Sequence, residues 1–281
     1  MKRKVVETMS KNLEAINEEK TCRDPVFLEK EGEIAYICFN RPEKRNALSF
    51  DIWTKIPELM EECEQDSNIK VIIFKGKGSV AFSAGADIDE FKTLRYTAEG
   101  AEKYNEATMI AEKAIMNASK PTIAMIRGFC VGGGCEIAVA CDFRFSDENG
   151  KFGITPAKLG LVYNTPGTKN VVDLVGPSKA KDILYTGRLL DAEEALQIGL
   201  IDRIIPSVSI KEETLSYAEL ICRNAQASVR GSKKIINEVL SGAQEDSPEA
   251  SKLIIESFLS EDYKEGVRSF LEKRKPNFKY S

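Results

Sequence analysis

Two short apolar runs set the frame of this chain. Val71-Ile72-Ile73-Phe74 and Thr122 to Ile126 show almost no alternation of apolar with polar residues, which is the pattern of strands buried on both faces. Upstream, VFLEKEGEIAYICFNRP alternates: Val26, Leu28 and Lys30 share one register, Ile34 to Phe39 form a partner strand, and Glu31-Gly32-Glu33 turns the hairpin. Helical spacing predicts a helix from about Asp51 to Gln65, with Ser49 as its cap, and another over Ala98 to Ala118 with Ala107, Ile110, Ala114 and Ile115 turned to the core. A short helix is expected over Glu136 to Ala140 and a strand over Asp142 to Ser146. Phe152 to Tyr163 reads as an irregular loop, Ser178 to Thr186 and Asp191 to Ile198 as helices joined at Gly187, and Leu200 to Ile205 as a strand. Ser209 to Lys275 reads as predominantly helical. Residues Met1 to Asp24 are charged and helix-prone, and read as a peripheral helical extension rather than a signal peptide. No internal repeat interrupts this order.

The two buried runs each lead into a turn of small residues. After Val71 to Gly78 comes FSAGADIDEF, Phe82 to Phe91, where Ser83, Ala84, Gly85 and Ala86 turn the chain and Asp87 is placed to cap the next segment. After Thr122 to Ile126 comes GFCVGGGCEIAVACD, Gly128 to Asp142. Glycine lacks a β-carbon, so a bound atom approaches the backbone N–H groups of Gly132, Gly133 and Gly134 closely, and the helix that begins there turns its positive end toward it. Two such turns, each ending in exposed N–H donors, are what a two-donor oxyanion hole requires. A tight strand-to-helix turn is the structural alternative for GGG alone, and a dipole-compensating first-turn carboxylate is the alternative for Glu136.

Composition narrows the chemistry. The sequence has 281 residues, enough for one large domain, and a net charge of −4 that gives no general attraction to nucleic acid or anionic membrane. It contains no histidine at all, which removes Ser-His, Cys-His and His-ligated metal mechanisms. Acid–base work then falls to Glu, Asp, Tyr, Lys or Cys. The seven cysteines are scattered without a CxxC pair, which suits reduced thiols in a cytoplasmic protein and argues against a metal.

Taken together, FSAGADI, the GGGCE turn and the tail SEDYKEGVRSFLEKRKPNF resemble the crotonase (enoyl-CoA hydratase/isomerase) superfamily from about Pro25 to the C-terminus. The resemblance implies an α/β fold, a crotonase-like spiral of ββα repeats over residues 25–205 with a C-terminal helical region over 206–281. It also implies trimers or dimers of trimers, and acyl-CoA thioesters as substrates, with CoA part of the substrate and no separate cofactor. By position, the N–H groups of Ala86 and Gly133 would bind the thioester oxygen. Ala84, Asp87 and Ile88 would line the same turn beside CoA. Lys44 and Arg45 would reach the CoA phosphates, and Phe270 and Lys273 would contact its adenine end, on a CoA held by this chain or a neighbouring subunit.

Hydratases of the family have two carboxylates. Glu136 matches the first, whereas the second position, in FGITPAKLG, is Pro156. That loss points away from hydration. The loop ITPAKLGLVYN resembles the methylmalonyl-CoA decarboxylase branch, in which Thr155 and Tyr163 would lie near the departing carboxylate. The preferred expectation is therefore decarboxylation of a short 2-carboxyacyl-CoA, the enolate being stabilised at Ala86 and Gly133. One departure is that the branch has a histidine where this chain has Ala86. The alternatives are an enoyl-CoA hydratase using Glu136 alone and a non-catalytic acyl-CoA-binding scaffold.

Overall fold

A computed structural model describes residues 24–279, so the expected helical extension over 1–24 lies outside the described residues apart from Asp24. The apolar runs do form strands. Val26–Glu31 (β1) and Ile34–Phe39 (β2) make the antiparallel hairpin, and Val71–Gly76 (β3), Thr122–Ile126 (β5), Phe143–Asp147 (β7) and Arg203–Ile205 (β10) continue from β2 in parallel. The order is β1-β2-β3-β5-β7-β10. Why the runs are unbroken is visible in the packing. Ile72 and Phe74 point into one apolar cluster with Phe39, Trp53 and Ile137, while Val71 and Ile73 point into a second with Tyr36, Phe145 and Ile210. Both faces of the sheet are covered, so both phases of each central strand are apolar.

The first face is covered by helices Phe50–Gln65 (α1), Ala98–Met116 (α2) and Gly133–Ala140 (α3), and the second by Ile210–Cys222 (α6). Thr165–Thr186 (α4) and Ala192–Gln197 (α5) lie between β7 and β10 in the chain. Gln226–Leu240 (α7), Pro248–Leu259 (α8) and Glu261–Leu271 (α9) complete the helical C-terminal region. Ser49 precedes α1, but its side chain makes no capping bond; the carboxylate of Glu90 accepts from the Phe50 N–H at 2.9 and 3.1 Å instead. In α2 the buried stripe is Tyr104, Ala107, Thr108, Ala111, Glu112 and Ile115, whereas Ile110 is 49% exposed. The inward face is therefore rotated from the expected one, because Tyr104 is anchored by the Trp53 indole N–H at 2.8 Å.

A second, small sheet positions the site. Ala81–Ser83 (β4), Phe129–Val131 (β6), Lys151–Gly153 (β8) and Leu190–Asp191 (β9) run in that order, with β4, β6 and β8 parallel. Because β4 and β6 are parallel neighbours, the chain leaves both at the same edge. The two small-residue turns consequently meet, as ligand-binding turns do at the carboxyl ends of parallel strands.

Candidate functional site

The approach of the two turns is close. A β-carbon added at Gly85 would lie 3.0 Å from the Val131 carbonyl oxygen and 3.6 Å from the Gly133 nitrogen. Gly85 has φ +98° and Gly132 φ +54° with ψ −123°, conformations that side-chain-bearing residues rarely adopt. Around them most backbone donors are used: Ala84 N–H to the Arg45 carbonyl at 2.9 Å, Gly85 N–H to the Ser83 hydroxyl at 3.2 Å, Asp87 N–H to the Leu48 carbonyl at 2.9 Å, and Gly132 N–H to the Gly153 carbonyl at 2.8 Å. The N–H groups of Ala86 and Gly133 take no acceptor among the described residues. Gly133 is the first residue of α3, so its N–H also carries the helix's positive end.

The upstream turn is tied down from the side. Buried Asn46 donates to the carbonyls of Ala81 at 2.8 Å and Lys77 at 3.1 Å and accepts from Arg41 N–H at 3.0 Å. Asp87 accepts from Asp89 N–H, as its capping position predicts, and is gripped by Arg41 at 2.6 Å and Lys44 at 3.2 Å. Those partners hold its carboxyl below the ordinary range despite the opposing effect of burial. The polar walls are thus structural, and the free donors are left to a ligand.

One turn into α3, Glu136 is 7% exposed. Its carboxylate accepts from the Asn164 side-chain amide at 2.9 Å, and burial raises its pKa. Asn164 is itself fixed, its amide oxygen accepting from Gly167 N–H at 2.7 Å as the cap of α4. Tyr163 folds inward: its hydroxyl is buried beside Glu136 without a well-formed hydrogen bond, and burial followed by the neighbouring carboxyl charges pushes its pKa well up. The other side of Glu136 is another carboxyl, that of Glu112 on α2, fully buried and 3.5 Å from the Asn164 amide. Burial and the charge of Glu136 push Glu112 up to about 10.

The remaining expected site residues are more dispersed. Thr155 is half-buried before a single 3₁₀ turn, Pro156–Leu159, and its side chain makes no capping bond; Pro156 occupies the loop position as expected, and no carboxylate stands there. Ala84 and Ile88 are exposed at the turn, Lys44 is ion-paired with Asp87 and Asp89, and Arg45 adopts φ 51° with its guanidinium over Phe129. Phe270 is 83% exposed on α9, where it lines a groove with Tyr263, Val267 and Phe278, and Lys273 follows with φ 54°. The structure does not bring Phe270 and Lys273 to the glycine turns. Six cysteines are buried free thiols, Cys22 lies outside the described residues, and no group of three or more metal-ligating acidic or Cys side chains occurs among the described residues. No helix among them is long and apolar enough to cross a membrane.

Glu112 and Asn164 were not legible as site residues. Placing Ala107, Ile110 and Ala114 on the inner face turns Glu112 outward, whereas a Glu one step from Ala111 on the Tyr104–Ile115 stripe is a buried carboxyl. Asn164 carried a signal, since Asn-Thr-Pro-Gly is a cap followed by proline at the helix start.

A family model described as enoyl-CoA hydratase/isomerase matches residues 29–281. The chain is 36% identical over 257 residues to a crotonyl-CoA hydratase of Syntrophomonas wolfei, covering 90% of this chain and 97% of that protein. It is 37% identical over 254 residues to a short-chain-enoyl-CoA hydratase of Clostridium acetobutylicum, covering 89% and 95%. Among solved structures, an enoyl-CoA hydratase/isomerase family protein from Hyphomonas neptunium matches with a TM-score of 0.90 and 42% identity, over 92% of this chain and 99% of that one.

Proposed function

The chain belongs to the enoyl-CoA hydratase/isomerase family, and from that premise we propose that it adds water to a short 2-enoyl-CoA. The observation that carries the reading is the pairing, within one helical turn, of an unclaimed N–H at Gly133 with the buried carboxylate of Glu136. The thioester oxygen accepts from the N–H groups of Ala86 and Gly133, which draws electrons from the C2–C3 double bond. Glu136 takes a proton from water as the water oxygen bonds to C3, leaving an enolate whose oxygen stays in the same hole. The proton then passes from Glu136 to C2. Asn164 orients Glu136 throughout.

Decarboxylation, which the loop around Thr155 and Tyr163 favoured, is the weaker reading. The two named relatives are hydratases, and a buried acid with a raised pKa suits proton transfer. Lys44, Arg45, Ala84 and Ile88 stand beside the hole as candidates for CoA contact, and a homotrimer or dimer of trimers fits the exposed apolar residues Ile255, Phe258, Leu259 and Leu271 at the C-terminal helices. The test is incubation with crotonyl-CoA, methylmalonyl-CoA and ethylmalonyl-CoA, followed by mass spectrometry. Gain of one water by crotonyl-CoA is expected. Loss of CO2 from a malonyl thioester without hydration would return the assignment to a decarboxylase, and binding without turnover of any would make it a scaffold.

A further inference from the structure

Glu112 is a fully buried carboxyl whose Oε1 receives no donor among the described residues. Its other oxygen is 3.5 Å from the Asn164 amide, which at 2.9 Å belongs to Glu136 instead. The two carboxyls therefore face each other across one shared donor in a buried space between α2 and α3. The groups around them offer little compensation. Tyr163 holds its proton, Tyr104 on α2 accepts from the Trp53 indole N–H and donates to the Leu48 carbonyl, and the guanidinium of Arg95 lies 4.3 Å from the Tyr104 and Phe91 ring centres. Arg95 reaches Glu136 only through its field, and no ion pair joins it to either carboxyl among the described residues. Two carboxylates so placed and unpaired repel strongly, and a single proton between them removes both the repulsion and the orphaned oxygen.

We propose that Glu112 and Glu136 share one proton, so that Glu112 supplies from the helix the second carboxyl that the loop lacks at Pro156. Glu112 is the positioning partner and does not meet substrate, since it is fully buried, whereas Glu136 retains an exposed edge. This rests on the hydratase reading for its role in turnover. In the resting site the proton sits on Glu112 and Glu136 is the carboxylate. When Glu136 accepts water's proton the pair briefly holds two, and when Glu136 passes one to C2 the pair returns to one, so water is the only net addition. The pair titrates as a unit.

The experiment is infrared spectroscopy of the full chain, with and without isotopically labelled glutamate, at neutral pH. A carboxylic-acid C=O band that shifts with the label is expected in the wild type, absent in Glu112→Gln, and retained at a shifted frequency in Glu136→Gln, where the acid's partner becomes an amide. Absence of the band in the wild type overturns the proposal however the variants fold, and an unaltered band in Glu112→Gln also overturns it. If crotonyl-CoA is hydrated, the wild type should lose kcat at alkaline pH as the shared proton leaves, and Glu112→Gln should lose that alkaline fall; superimposable pH profiles would refute the catalytic part. A band without hydration leaves proton sharing standing and removes the hydratase reading alone.

Discussion

Gly133 must be glycine for a reason separate from its free N–H. A β-carbon there would lie 2.8 Å from Cζ2 of Trp53 and 3.1 Å from Cδ1 of Leu48, and Trp53 cannot yield because its indole is bonded to Tyr104. Gly133→Ala is expected to cost about 1–3 kcal/mol by overpacking, read as a lower Tm, and to displace the hole enough to depress kcat. Unchanged Tm with full activity would mean that Trp53 repacks freely. Glu112 makes a prediction about pH. Its folded pKa lies above its unfolded value, so the folded state holds a proton that the unfolded state releases once pH exceeds about 4.5. Its contribution to stability is present below that value and declines up to the folded value of about 10. Glu112→Gln lacks this decline, so its stability relative to wild type should rise steadily from acid to alkaline pH, by up to about 1.4 kcal/mol per pH unit, read as Tm across the range. A constant difference would contradict a buried, protonated Glu112.

At the scale of elements, the loop before α4 performs two tasks through one residue. Asn164 caps the helix with its oxygen and orients Glu136 with its amide nitrogen. Asn164→Ser keeps a capping oxygen and loses the amide, so it should hold Tm near wild type while lowering kcat. Asn164→Ala should lose both, with about 1 kcal/mol of cap energy. If the two variants have equal Tm, the cap is not what holds α4. Elements were legible where burial is two-sided or amphipathic: β2, β3, β5 and the helices α1 and α2 follow from their apolar patterns. The small sheet was not, because β4, β6, β8 and β9 are two or three residues long, shorter than the period needed to recognise them. The first half of α4 was missed for another reason. Proline and glycine at its start read as loop, and Gly176, at φ +74°, kinks it so that only the second half shows as a helix.

For the whole molecule, the free donors follow from topology: parallel β4 and β6 release their turns at one edge, and Arg41, Asn46 and Asp87 hold the edge shut. The glycine turns and Glu136 could be found in the sequence because their residue types are restrictive. The carboxyl pair could not, since it joins α2 to α3 and depends on a rotation of α2 that its contact with α1, Trp53 to Tyr104, holds in place. The C-terminal helices expose Ile255, Phe258, Leu259, Phe270 and Leu271. Light scattering is expected to give three or six chains, and a monomer at working concentration would contradict that expectation. The most direct measurement is the rate of crotonyl-CoA hydration by Glu136→Gln beside wild type at saturating substrate. A fall in kcat of about 10²–10⁴-fold with KM little changed is expected, and a variant that hydrates at the wild-type rate would contradict the role given to Glu136.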